Sequence, residues 1–66
     1  MKIYVNDIEV TAFLGAKLSD ILRIYSEDAY KSVAKGEKKI IDSHNHVVSL
    51  DGEVSEGNRF YIKEEK

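Results

Sequence analysis

The sequence predicts an α+β domain, and three observations carry that prediction. Two alternating apolar runs open the chain around a turn pair. A helical stripe of apolar residues follows Gly15. Short β-branched runs return after Gly36.

At the start, Met1, Ile3 and Val5 fall on one side and Lys2 and Tyr4 on the other. Asn6-Asp7 supplies a tight turn, because both residues tolerate positive φ. Ile8, Val10 and Ala12 then alternate against Glu9, Thr11 and Phe13, which completes a β-hairpin. After Gly15 the period changes. Leu18, Ile21, Leu22 and Tyr25 recur at i, i+3, i+4 and i+7, the spacing of one helix face. Ser19 and Asp20 sit in the first turn, where a carboxylate suits the helix dipole. So short a helix is unstable alone in water and must lie on the sheet.

Ser26-Glu27-Asp28 is a second helix-start signal. Ala29, Tyr30, Val33 and Ala34 continue it to Gly36, either as a separate short helix or as an irregular extension of the first. Lys39–Ser43 and His46–Leu50 read as a second hairpin turning at His44-Asn45. Asp51-Gly52 and Glu56-Gly57-Asn58 mark turns before a last strand, Arg59–Lys63, in which Phe60 and Ile62 alternate with Tyr61. The charged end Glu64-Glu65-Lys66 is expected to fray. One helical layer over one face of a five-strand sheet is the economical packing for this order.

Composition narrows the function. Sixty-six residues make a single domain, residues 1–66. A chain this short buries only about 60% of its unfolded surface, so its core is thin. It has no cysteine, which removes disulfides and thiol chemistry and points to a cytoplasmic protein. Net charge is −2, and the basic residues are dispersed, so a nucleic-acid surface is not expected. The cluster Lys35–Lys38–Lys39, broken by Gly36 and Glu37, reads as a solvated loop. No apolar run approaches the about 18 residues of a membrane span, and no signal-peptide core opens the chain.

Three segments resemble the β-grasp (ubiquitin-like) sulphur carriers, the family of the thiamine-biosynthesis carrier and the molybdopterin synthase small subunit. They are Lys2-Ile3-Tyr4-Val5-Asn6-Asp7-Ile8-Glu9-Val10, Gly15-Ala16-Lys17-Leu18-Ser19-Asp20-Ile21-Leu22, and Val54-Ser55-Glu56-Gly57-Asn58-Arg59-Phe60-Tyr61-Ile62. The resemblance implies a mixed five-strand sheet, its first and last strands parallel and adjacent in the middle, with one main helix and one short helix on one face. Lys17 stands where the family usually has threonine, and Asn58 where it has aspartate. Family carriers end in Gly-Gly, whose carboxylate is adenylated and converted to a thiocarboxylate. This sequence ends Lys63-Glu64-Glu65-Lys66 and lacks that reacting group.

Among chemical constellations, Asp42-x-His44-x-His46 has ligand-type residues, but a turn at 44–45 separates them and no metal site is expected. Ser43, Ser49 and Ser55 have no shaped pocket, and no cofactor is implied, so the isolated chain is not expected to be an enzyme. The outer sheet face remains. If Ile3, Val5, Ile8, Val10, Phe60 and Ile62 face the helix, then Tyr4, Phe13 and Tyr61 point outward, joined by one of Ile40/Ile41 and one of Val47/Val48. Such a patch is a contact surface for a protein partner. The expected function is a small non-catalytic domain that docks through this face. The alternative is a sulphur carrier whose Gly-Gly is absent from this sequence and whose partner is an adenylating enzyme.

Overall fold

The computed structural model describes residues 1–64. Its elements run β1 (Lys2–Val5), β2 (Ile8–Thr11), α1 (Leu18–Tyr25), α2 (Glu27–Ala34), β3 (Lys38–Asp42), β4 (Val47–Val48) and β5 (Arg59–Glu64). The strands form one mixed sheet in the order β2-β1-β5-β3-β4. β1 and β5 are parallel neighbours, and every other pairing is antiparallel. Both helices pack on one face.

Hairpin β1–β2 forms as its turn residues require. Asn6 and Asp7 both have positive φ, 51° and 67°, the backbone that matches the natural twist of a two-residue hairpin. Asn6 does more than turn. Its N–H donates to the Phe60 carbonyl at 2.9 Å, and its side-chain oxygen accepts from the Ile62 N–H at 3.0 Å. Its amide nitrogen reaches the Tyr25 hydroxyl at 3.3 Å. The parallel ladder therefore continues past the end of β1 through a side chain.

The Lys17 N–H donates to the Asp20 carboxylate at 3.0 Å, one half of a capping box at the start of α1. Two of the N–H groups that a helix start leaves without partners are satisfied from a distance. Leu18 donates to the Gly52 carbonyl and Ser19 to the Leu50 carbonyl, at 2.9 and 3.0 Å. To make these bonds the chain leaves the sheet after Val48. This is why β4 has two residues where the sequence pattern suggested His46–Leu50.

Ser26 ends α1 and begins α2. Its extended backbone breaks the helix, and its hydroxyl accepts from the Ala29 N–H at 3.2 Å. Both helices have eight residues, so the second is not the shorter one. Gly36, at φ 84°, closes α2: Gly36 and Glu37 donate to the Val33 and Ser32 carbonyls.

Ile3, Val5, Val10, Leu18, Ile21, Leu22, Ile40 and Phe60 are buried together, with Tyr25, Tyr30, Val33 and Leu50 packed around them. Three expectations need correction. Ile8 lies opposite Val5 on the core side but is 55% exposed, because it sits on edge strand β2 beside the turn. Lys38 lies in β3 rather than in a loop, one residue ahead of the strand start that the sequence suggested at Lys39. Glu64 belongs to β5, opposite Lys38, while the fraying expected at Glu65 and Lys66 lies outside the described residues.

Leu22 is fully buried, so Leu22→Ala should cost about 2–5 kcal/mol in chemical denaturation. A loss on the scale of a surface change would mean that α1 does not anchor the core. Asn6→Gly keeps the turn conformation but removes the amide and should cost about 0.5–1.5 kcal/mol. Asn6→Ala adds left-handed strain and should cost about 1 kcal/mol more. Equal stability of the glycine variant and wild type would show that the side-chain ladder contributes nothing.

Candidate functional site

The sheet face opposite the helices is the candidate site. Register assigns its residues: Lys2 and Tyr4 from β1, Glu9 and Thr11 from β2, Arg59, Tyr61 and Lys63 from β5, Lys39 and Ile41 from β3, and Val47 from β4. Tyr4 and Tyr61 are therefore outward, and each is half-buried. The open choice in each β-branched pair is decided as well. Ile40 faces the core, and Ile41 lies outward between Tyr61 and Val47.

Phe13 is elsewhere. It lies past the last residue of β2, in the turn closed by the Ala16 N–H on the Phe13 carbonyl at 3.2 Å. It is 58% exposed beside Leu14, at 87%. The alternation that put Phe13 in line with Tyr4 stops when β2 ends at Thr11, so register does not bring the three aromatic residues together.

Two clusters organise the face. At one end the Arg59 guanidinium stacks over the Tyr4 ring, 4.4 Å from its centroid, and pairs with Asp7 at 3.5 Å. The Tyr61 hydroxyl donates to the same Asp7 carboxylate at 3.4 Å. The stacking restrains Tyr4 and the hydrogen bond to Asp7 restrains Tyr61, which lowers the entropy lost when a partner covers them. At the other end, Ile41, Tyr61, Lys63 and the β3–β4 turn surround a shallow depression of about 250 Å³. Arg59 was legible in principle, because it stands two residues before Tyr61 and so shares its face.

Asp42, His44 and His46 make a turn. The loop is Ser43-His44-Asn45, one residue longer than the sequence suggested, with Asn45 at φ 68°. The Asp42 N–H donates to the His46 carbonyl, and the Asn45 N–H to the Asp42 carbonyl, each at 3.0 Å. One Asp42 carboxylate oxygen accepts from the His44 and His46 N–H groups at 2.9 and 3.0 Å. The imidazoles are exposed, with centroids 6.4 Å apart. No group of three or more metal-ligating side chains comes together among the described residues.

A larger open cleft of about 460 Å³ lies on the helical side, lined by Asn6, Tyr25, Ser26, Lys38 and Ile62 among others. Two of its polar side chains are engaged within the fold, Asn6 with Tyr25 and Lys38 with Glu64. Among the described residues no helix is long and apolar enough to cross a membrane. Comparison with protein-family models, curated proteins and solved structures finds no match to this chain.

The hydrogen bond from the His46 backbone, with a weaker one from the His44 backbone, holds the Asp42 carboxyl below the usual aspartate range, against an opposing desolvation that ranks between the two. A carboxyl whose folded pKa is depressed adds stability that is fully present above its unfolded pKa and is lost as pH falls through the folded value. The hairpin should therefore loosen below about pH 4. The Asp42 carboxyl resonance should titrate at lower pH in the folded protein than in urea, and Asp42→Asn should remove that acid-sensitive component. Identical midpoints in the two states would refute the assignment.

Proposed function

We propose that this chain is a non-catalytic β-grasp domain that binds a protein partner through the open face of its sheet. The observation that carries the reading is the row Tyr61–Ile41–Val47 beside Tyr4, on the face that neither described helix covers. Apolar and aromatic side chains grouped on an open sheet face have the make-up of an interface centre. The strand order, with β1 and β5 parallel at the middle of the sheet, supports the β-grasp assignment. The absence of cysteine supports a cytoplasmic setting, and a net charge of −2 favours a protein over a nucleic acid.

The same strand order also favours a second reading, a sulphur carrier of the thiamine or molybdopterin type. A version of the chain carrying a C-terminal Gly-Gly would then be adenylated by an activating enzyme and ATP. Failure of that reaction leaves the binding module alone.

For the binding module, an isotope-labelled sample mixed with extract of the source cells should lose amide signals along β3, β5 and Val47, not along α1 and α2. With the isolated partner, Tyr61→Ala or Tyr4→Ala should weaken binding by about 1–3 kcal/mol. Signal loss confined to the helices, or unchanged affinity in both variants, would reject the sheet-face reading.

A further inference from the structure

The register between β3 and β5 sets Lys39 directly opposite Lys63 on the open face. Like charges at directly opposed positions destabilise a sheet. Elsewhere on this face the cations are matched, Lys2 with Glu9 at 4.0 Å and Arg59 with Asp7 at 3.5 Å. The neighbouring Lys38–Glu64 pair, at 3.9 Å, is one position out of phase and so belongs to the helical side. Among the described residues, neither Lys39 nor Lys63 has an ion-pair partner.

Lys63 lines the depression of about 250 Å³, with Ile41, Asp42, Ser43, Asn45 and Tyr61, and Lys39 stands opposite Lys63 across the ladder. Ile41 is its apolar floor. It is only 8% exposed yet stands outside the core cluster, so its neighbours on the open face, not the helices, cover it. The Asp42 carboxylate also lines the depression and keeps its charge, but one of its oxygens is committed to the turn N–H groups and register puts Asp42 opposite Phe60, on the core side of the strand. One half of the face thus has its cations paired, and the other sets an apolar seat beside two lysines that no described acidic side chain pairs with.

We infer that this half of the sheet receives an acidic segment of a partner protein. A leucine-sized side chain seats over Ile41 against Tyr61, and flanking carboxylates meet Lys39 and Lys63. An anion between the two ammonium groups turns their repulsion into two attractions, so the arrangement that weakens the free sheet favours the complex. Two lysines are too few to hold a nucleic-acid backbone, whose binding draws on release of many counterions. The inference rests on the open face being the docking surface and adds the chemistry of what docks there.

The test uses short synthetic peptides with paired leucines between glutamates, between lysines, or between serines, titrated into the full labelled chain. The glutamate-flanked peptide should cause saturable shifts at Lys39, Ile41, Tyr61 and Lys63 that weaken as salt is raised. Lys63→Glu should reduce its affinity about tenfold. The same change replaces a like-charge pair by an opposite-charge pair, so the variant should melt no lower than wild type, which separates binding from folding. A Lys39→Glu/Lys63→Glu double variant should prefer the lysine-flanked peptide. Equal shifts at Ile41 and Tyr61 from all three peptides would overturn the acidic preference and leave the docking face standing. Shifts confined to the helices, or none, would overturn both. Concentration-dependent shifts at these residues without peptide would assign the face to a second copy, and tighter binding of an oligonucleotide would assign it to a polyanion; either result overturns the inference.

Discussion

The parallel pairing of β1 with β5 is the constraint on which the rest of this structure depends. Each hairpin closes locally, and each helix is too short to persist in isolation. What joins the N-terminal hairpin to the C-terminal half of the sheet is a short ladder in which Tyr4 and Asn6 donate to the Asn58 and Phe60 carbonyls and Gly57 donates to Lys2. The Asn6 side chain extends that ladder to Ile62, 56 positions away. Contacts so distant in sequence become favourable only after a large loss of chain entropy, so they form cooperatively with the core. Ile3, Val5 and Phe60, on the core side of these strands, are where that core supplies the compensating burial.

The second long-range tie runs from the segment after β4 to the start of α1. Lys17 offers no side-chain acceptor to its helix, and the Leu50 and Gly52 carbonyls take over part of that role. The cost is a β4 of two residues, which makes the edge beside β3 short and a poor template for unwanted strand pairing. Helix capping and edge protection thus come from the same turn.

The open face follows from this topology. Because both helices gather on one side, neither covers the outward residues of β1, β5, β3 and β4, and β5 at the centre sets their spacing. Its residues Arg59, Tyr61 and Lys63 run from a region of matched charge near Asp7 to one of unmatched charge near Lys39. The face is therefore polar and tied down at one end and apolar and cationic at the other, a graded surface on a single strand.

The sequence by itself determined the features governed by neighbours. Asn6-Asp7 specified the first turn, the spacing of Leu18, Ile21 and Leu22 specified a helix and its buried side, and Gly36 marked the end of the helical segment, while the break at Ser26 that makes α2 a separate helix was left open. Alternation put Tyr4 and Tyr61 on one side of their strands and Ile3, Val5 and Phe60 on the other. Periodicity carries such information because φ, ψ and side-chain direction are local properties of the backbone. Only the tertiary structure decided where strands end and which residues meet. It placed Ile41 rather than Ile40 outward, stopped β2 before Phe13, left Ile8 exposed at an edge, and set Lys39 against Lys63. Those outcomes depend on register and on which strand lies beside which, and both are fixed by hydrogen bonds and burial between segments far apart in the chain.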